Sequence, residues 1–225
     1  MKDRDSVLVI ADTHIPFEHR NYLDFCLDMK QRCKCKTVIH IGDLVDNHAI
    51  SYHEHDPNGQ SAGDEHKIAM KHLRQWYKAF RKLKLCRGNH DRLVDRKGKT
   101  AGLPTIVFQP FRKIWSLPSG WEDDWEFKIN NVLYEHGTGY SGKYPHMTAA
   151  INNRCSTVIG HVHSVAGIEW LANSRDCLFG MSVGCGVDRR TYAFAYGRDF
   201  KRKPILGCGI VTDMGRYCQF MPMSL

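Results

Sequence analysis

Five short groups of aspartate, asparagine and histidine lie along the first 163 residues of this 225-residue chain. They are Asp12-Thr13-His14, Gly42-Asp43-Leu44-Val45-Asp46, Gly88-Asn89-His90-Asp91, His136-Gly137 and Gly160-His161-Val162-His163. Carboxylate, amide and imidazole groups without thiolates form a ligand set that suits Mn²⁺, Fe or Zn²⁺. In an extended chain, residues two apart project to the same side, so Asp12 can pair with His14, and His161 with His163. The residue types and their spacing therefore predict a site for divalent metal ions.

Each group follows a predicted β-strand. These strands are short and mostly apolar, and they are Ser6–Ala11, Thr37–Ile41, Lys84–Arg87, Val132–Glu135 and Ser156–Ile159. Ligands of α/β sheets bind at the carboxyl ends of the strands, so the five groups can converge on one place. One such group alone is a weak signal, and we interpret His40, inside the second strand, as a hydrogen-bonded core or surface residue without a functional role. The prediction of a metal site rests on the occurrence of all five groups, each of them directly after a predicted strand.

The rest of the pattern predicts the elements around these strands. Apolar residues at helical spacing predict helices over Tyr22–Cys33, from Gly63 to about Leu83, and near His146–Asn153. Residues 47–63 read as a polar loop and residues 92–120 as irregular or weakly helical. Hairpins are predicted between Trp125–Ile129 and Val132–Glu135, near Asn173-Ser174 and at Asp213–Gly215. Together these elements predict an α/β fold, a two-sheet mixed β-sandwich flanked by helices, as a single domain over residues 1–225.

The motifs resemble those of the calcineurin-like metallophosphoesterase superfamily. Its pattern is Asp-x-His, Gly-Asp-x-x-Asp, Gly-Asn-His-Asp/Glu, a later His and Gly-His-x-His, and this chain contains every part in that order. The resemblance implies seven metal ligands, with Asp12, His14 and His163 on one ion, Asn89, His136 and His161 on the other, and Asp43 as the bridge. It also implies that His90 is a catalytic residue near the leaving group, and that Asp46 orients it.

This resemblance implies metal-dependent hydrolysis of phosphoesters. Two cations about 3.5–4 Å apart can lower the pKa of a shared water and clamp the attacking and leaving oxygens at phosphorus. A metal-bridging hydroxide would attack, and a protonated His90 would donate to the leaving oxygen. Mn²⁺ is the favoured metal, with Fe, Zn²⁺ and Ni²⁺ as alternatives.

The residues after the second motif bear on the substrate. The phosphoprotein phosphatases that this chain resembles continue Gly-Asp-x-x-Asp with Arg-Gly, and the arginine grips the substrate phosphate. Asn47-His48 stand at these positions here. This difference favours a phosphodiesterase, either a nuclease or a nucleotide phosphodiesterase. A phosphomonoesterase or phosphoprotein phosphatase is the alternative. A non-catalytic metal-binding scaffold is disfavoured because every expected ligand is present.

Three further residues are predicted to contact the substrate. Tyr140 and Lys143 lie in a glycine-rich loop after His136, and Arg189 belongs to an arginine pair after another glycine-rich stretch. The loop is not a P-loop, because Tyr144 stands where that motif requires serine or threonine. Three histidines of the polar loop are either further ligands or solvated residues, namely His48, His53 and His55.

Net charge, hydropathy and cysteine spacing indicate the cellular location and the kind of binding partner. The net charge of +8 suits a polyanionic partner such as nucleic acid or a nucleotide. No run approaches the roughly 18 apolar residues needed to span a bilayer, and the N-terminus does not resemble a secretory signal. None of the nine cysteines forms a Cys-x-x-Cys pair, and reduced thiols are expected. We therefore expect a cytoplasmic protein without a membrane partner, and the sequence leaves the oligomeric state open.

Overall fold

The computed structural model describes residues 6–52, 58–188, 190–191 and 201–224. The helices in these ranges are α1 (Tyr22–Arg32), α2 (Ala62–Ala79), α3 (Leu93–Thr100), α4 (Phe111–Ile114) and α5 (Pro145–Asn153). The strands are β1 (Val7–Ile10), β2 (Thr37–His40), β3 (Leu83–Cys86), β4 (Trp121–Asp124), β5 (Glu126–Ile129), β6 (Val132–Glu135), β7 (Ser156–Ile159), β8 (Ala166–Ala172), β9 (Cys177–Val183), β10 (Gly207–Thr212) and β11 (Tyr217–Pro222).

The described strands form two mixed sheets. The first has the order β11-β10-β1-β2-β3-β4, in which β1 to β4 are parallel and the β10–β11 hairpin is antiparallel. The second has the order β5-β6-β7-β9-β8, in which β6, β7 and β9 are parallel and the edge strands antiparallel. The predicted α/β fold with two mixed sheets and flanking helices is confirmed.

Strand β1 shows why its sequence is apolar at every position. Val7 and Val9 point into the core between the two sheets, whereas Leu8 and Ile10 pack against the opposite core, which contains residues of α1 and α2. Successive side chains of a strand point to opposite faces, so a strand covered on both faces must be apolar throughout. Trp76 of α2 is 1% exposed in the core on the helical side. Full burial of one such large apolar side chain contributes about 1.5–3 kcal/mol.

Strand β4 was not predicted. It lies at the edge of the first sheet, parallel to β3, and its sequence Trp-Glu-Asp-Asp contains no β-branched residue. The buried Trp121 anchors it, since its indole N–H donates to the carbonyl of Phe80 at 2.7 Å. The strand predicted over Trp125–Ile129 begins one residue later, because the chain passes from the first sheet to the second at Trp125.

The remaining elements agree closely with the expectations. The three predicted hairpins are β5–β6, β8–β9 and β10–β11, and α2 ends at Ala79 rather than near Leu83. The predicted loop over 47–63 contains a short 3₁₀ helix at His48–Ile50. None of the helices formed by the described residues combines the length and the apolar character needed to cross a bilayer.

Candidate metal centre

The five predicted groups meet at one edge of the sandwich. The loops after β1, β2 and β3 of the first sheet face the loops after β6 and β7 of the second. Asp12 Oδ1 lies 3.3 Å from His163 Nε2, and Asp43 Oδ2 lies 3.2 Å from His136 Nε2. Side chains up to 149 positions apart in the sequence are therefore neighbours in space.

His14 and His163 direct ring nitrogens at one another beside Asp12. Their Nε2 atoms are 3.1 Å apart, and His14 Nε2 lies 4.0 Å from Asp12 Oδ1. The other ring nitrogen of His14, Nδ1, lies 2.6 Å from the carboxylate of Asp46. An ionised carboxylate only accepts hydrogen bonds, so Nδ1 carries the proton and the lone pair of Nε2 is available. Asp12, His14 and His163 could together hold a metal ion.

His136, in a second group of potential ligands, is also oriented by a hydrogen bond through Nδ1. Its Nδ1 donates to the carbonyl of Ile41 at 3.1 Å, which leaves Nε2 as the nitrogen directed at the cluster. Nε2 faces Asn89 Oδ1 at 3.0 Å and Asp43 Oδ2 at 3.2 Å. The ring of His161 lies 5.0 Å from that of His136, measured between centroids. Asp43, His136 and His161 could hold a second ion, with the amide oxygen of Asn89 beside them.

Asp43 lies between the two groups. Its Oδ2 is 3.2 Å from His136 Nε2 and 3.5 Å from His14 Nε2, and its Oδ1 accepts from the backbone N–H of His90 at 2.8 Å. Position 88 must be glycine, because a Cβ there would collide with the Asp43 carboxylate. A third group of ligand atoms, from His14, Asp43 and His90, also lies close enough for one ion. Asp43 has the position that a bridging ligand requires.

The site concentrates negative charge in a buried place. Asp12, Asp43 and Asp46 are each at most 2% exposed. Burial alone would raise their pKa values, but hydrogen bonds and charges from neighbouring histidines outweigh it, so the pKa of each carboxyl group is lowered. Within the described ranges, no lysine or arginine forms an ion pair with these three carboxylates. Buried charges need charged partners, and divalent cations fit this donor set.

His90 is held beside the ligand group. Its Nδ1 donates to the main-chain carbonyl of Asp46 at 2.7 Å and lies 3.2 Å from the carboxylate of the same residue. Burial opposes protonation, yet the charge of Asp43 and the hydrogen bond with Asp46 raise the pKa of His90 to about 10. Its ring centroid is 4.5 Å from that of His14. His90 is thus placed to carry a proton at the edge of the site.

The resemblance implied a contact of Asp46 with His90 alone, and the structure adds a second one, to His14. A carboxylate that accepts from the distal nitrogen of a metal-binding histidine is a common arrangement, so this rule could have indicated the contact. The sequence pattern does not indicate a role for Asp91. This buried carboxyl group accepts from the backbone N–H of Val45 at 3.2 Å and of Gly88 at 2.8 Å. Asp91 ties the second motif to the third.

His40 is a hydrogen-bonded residue, as interpreted from the sequence, and of the two locations left open it lies in the core. It is fully buried, its Nε2 lies 3.0 Å from Thr13 Oγ1, and its Nδ1 accepts from the backbone N–H of Gly42 at 3.3 Å. Burial lowers the pKa of its imidazole to about 3. His48, in contrast, is not a solvated loop residue. It is 5% exposed, with Nδ1 3.7 Å from Asp46 Oδ2.

The predicted substrate residues lie outside the ligand group or outside the described ranges. Tyr140 forms a turn with Gly137, and exposed Lys143 has its Nζ 4.8 Å from the centre of the Tyr144 ring. In the described part of the chain, neither makes a hydrogen bond or ion pair with a predicted metal ligand. The positions outside the described residues are Arg189, His53 and His55.

A mixed two-sheet sandwich with aspartate, asparagine and histidine gathered at one edge is typical of metal-dependent hydrolases. The chain belongs to the calcineurin-like phosphoesterase family, whose model matches residues 6–184. This membership supports metal-dependent hydrolysis of phosphoesters and implies divalent metal ions, for which the aspartate and histidine groups described above could serve as ligands.

Solved structures with a similar fold include three of low sequence identity. Vacuolar protein sorting 29 from Cryptosporidium parvum is 12% identical, with a TM-score of 0.46 over 94% of this chain and 86% of that chain. YfcE, a phosphoesterase from E. coli, is 12% identical, with a TM-score of 0.42 over 92% and 91%. The nuclease MPE from Pseudomonas putida is 15% identical, with a TM-score of 0.33 over 96% and 87%. Comparison with curated protein sequences finds no significant match.

Proposed function

We propose that this chain is a hydrolase that uses two divalent cations to cleave phosphodiesters, such as those of nucleic acids or nucleotides, in preference to phosphomonoesters. Family membership supports the phosphoesterase activity. The observation that carries the preference for diesters is the position and bonding of Asn47, which stands where related phosphatases have a phosphate-gripping arginine.

The seven predicted ligands are assigned to two ions. Asp12, His14 and His163 would hold the first, Asn89, His136 and His161 would hold the second, and Asp43 would be shared by both. When bound, the two cations supply an activated water and neutralise the charge that develops at phosphorus. The hydrogen bonds that orient His14 and His136 support this assignment, because each leaves Nε2 as the nitrogen directed at the cluster.

The protein itself positions the histidines and moves the proton. The carboxylate of Asp46 fixes His14 at 2.6 Å, and its main-chain carbonyl fixes His90 at 2.7 Å. Because Nδ1 of His90 donates to that carbonyl, the proton for the leaving oxygen comes from Nε2. Asp43 reinforces this arrangement by accepting from the backbone N–H of His90.

Asn47 is hydrogen-bonded through its side-chain amide to the loop that carries His90. Its backbone is left-handed, with φ of 54°, and its Nδ2 donates to the carbonyl of His90 at 3.0 Å. A neutral amide gives no charge to hold the two negative charges of a monoester, for which a guanidinium is best suited. Arg190 does not replace it, since its guanidinium forms a two-point pair with Asp188 at 2.8 and 3.0 Å. The replacement of arginine by asparagine weakens the binding of a diester less than that of a monoester, because a diester carries only one negative charge.

The test compares kcat/KM on bis-p-nitrophenyl phosphate and p-nitrophenyl phosphate with Mn²⁺. The wild-type chain is expected to be more efficient on the diester. Asn47→Arg is expected to shift the ratio towards the monoester. Asn47→Gly is the matched control, because it accepts the left-handed backbone and carries neither amide nor guanidinium. Higher efficiency of the wild type on the monoester would contradict the preference and support the phosphatase alternative, and hydrolysis of neither ester would support the non-catalytic scaffold.

A further inference from the structure

An exposed tryptophan lies beside the loop that carries Asn89 and His90. Trp125 is 50% exposed at the crossing between the two sheets. Two guanidinium groups lie over its ring, that of Arg92 at 4.8 Å and that of Arg87 at 5.6 Å from the centroid. Arg87 and Arg92 flank the third motif directly in the sequence. The two cations over the ring therefore lie at the two ends of the motif that contains the proposed catalytic residue.

A second exposed ring has two cations over it, and both of them lie on α3, the helix that follows this loop. Tyr52 is 52% exposed, and its ring centroid is 3.9 Å from Lys97 Nζ and 4.9 Å from the guanidinium of Arg96. Its hydroxyl lies 3.3 Å from Thr100 Oγ1. The cations belong to α3, which begins three residues after His90. Trp125 thus contacts Arg92, which directly precedes α3, and Tyr52 contacts Thr100, the last residue of α3.

The positive charge on this surface is mostly uncompensated. Among the described residues, Arg92, Arg96 and Lys97 form no ion pair with a carboxylate, and Arg87 alone of the four pairs with one, that of Asp123. Cation–π contacts at exposed sites contribute only about 0.5–1 kcal/mol each, so they give the fold little reason to gather these side chains. We name the set formed by Trp125, Arg92, Arg96, Lys97 and Tyr52 the aromatic-basic surface.

We infer that the aromatic-basic surface binds single-stranded nucleic acid and guides it to the metal centre. Unpaired cations attract backbone phosphates, and exposed rings stack with bases, which are accessible in a single strand but already stacked in a duplex. An acidic peptide would use the cations but not the rings. The guiding role rests on the proposed phosphodiesterase function, whereas binding itself does not.

The test measures binding of the full chain to a fluorescent single-stranded oligothymidylate by anisotropy in EDTA. Trp125→Ala and Tyr52→Ala are each expected to weaken binding at least about fivefold, since loss of one stacking ring has at least this effect. Two matched controls are expected to bind as the wild type does. Trp170→Ala removes a ring that is 51% exposed, and Tyr217→Ala removes one that is 61% exposed. In the described part of the chain, neither ring has a cation over it.

Charge variants give a second measurement that does not depend on the rings. Arg92→Gln and Lys97→Gln are each expected to reduce the slope of log Kd against log salt by about 0.7, the value for one phosphate contact on a single strand. Thermal unfolding of every variant confirms that it is folded. Equal losses in the two control variants, tighter binding of duplex than of single strand, or equal affinity for poly-glutamate would overturn the inference.

The proposed phosphodiesterase function and the binding of nucleic acid by the aromatic-basic surface can be disproved independently of one another. Binding in EDTA does not depend on hydrolysis, so a chain that binds oligonucleotide but cleaves no ester disproves the proposed function and keeps the inferred surface. A chain that hydrolyses bis-p-nitrophenyl phosphate but does not bind the oligonucleotide disproves the surface and keeps the proposed function.

Discussion

Asp43→Asn is expected to lose at least one of two bound ions and to reduce kcat/KM on bis-p-nitrophenyl phosphate at least about 10³-fold. The metals contribute several kcal/mol of charge stabilisation, and each 1.36 kcal/mol corresponds to a factor of ten in rate. The substitution is nearly isosteric, and asparagine tolerates the left-handed backbone of this position, where φ is 50°. It removes the charge that lies 3.2 Å from His136 and 3.5 Å from His14. Metal content and steady-state kinetics measure the two effects.

Asp28→Asn provides the matched control for this substitution. Asp28 lies on α1 with its side chain 54% exposed and pairs with Arg32 at the surface. The same change of charge there is expected to leave metal content and turnover unaltered. Two ions per chain and wild-type turnover in Asp43→Asn would contradict the assignment of Asp43 as the shared ligand.

His90→Ala is expected to keep both ions and to lose about 10²–10⁴ in turnover on esters with poor leaving groups, the usual contribution of a general acid. The loss should be smaller on nitrophenyl esters, because nitrophenolate leaves without a proton. His90→Asn separates positioning from proton transfer. Its amide nitrogen can replace Nδ1 in the hydrogen bond to the carbonyl of Asp46, 2.7 Å away in the wild type, but it has no counterpart of Nε2. Asparagine is therefore expected to restore the loop and not the activity.

The competing role for His90 is metal binding, since its ring lies in a third group of potential ligands with His14 and Asp43. Metal analysis of His90→Ala distinguishes the two roles. Loss of an ion, or equal losses of turnover on good and poor leaving groups, would show that His90 is not the proton donor.

Much of the fold was predictable because local and long-range requirements agree. Strand β1 is apolar at every position since both of its faces are buried, so the sequence alone indicates a central strand. The convergence of Asp12, Asp43 and Asn89 followed from the geometry of neighbouring parallel strands, β1, β2 and β3, which end at the same edge of a sheet.

Other features depend on contacts that no local pattern encodes. Strand β4 is acidic and lies at an edge, and the buried indole of Trp121 holds it in place across 41 positions of sequence. The hydrogen bond between Asp46 and His14 joins two loops 32 positions apart. The cations over Tyr52 come from α3, and Arg92, which lies over Trp125, directly precedes this helix, in a segment that showed no clear period. These arrangements exist only once the sheets and loops have packed together.

The most direct test of the binuclear site is a titration of the metal-free chain with Mn²⁺, with Zn²⁺, Ni²⁺ and Mg²⁺ in parallel. Bound ions per chain and hydrolysis of bis-p-nitrophenyl phosphate are measured on the same samples. We predict two bound ions at saturation, with turnover that follows occupancy of the second. Full turnover with one ion per chain, or turnover without added metal, would contradict the account.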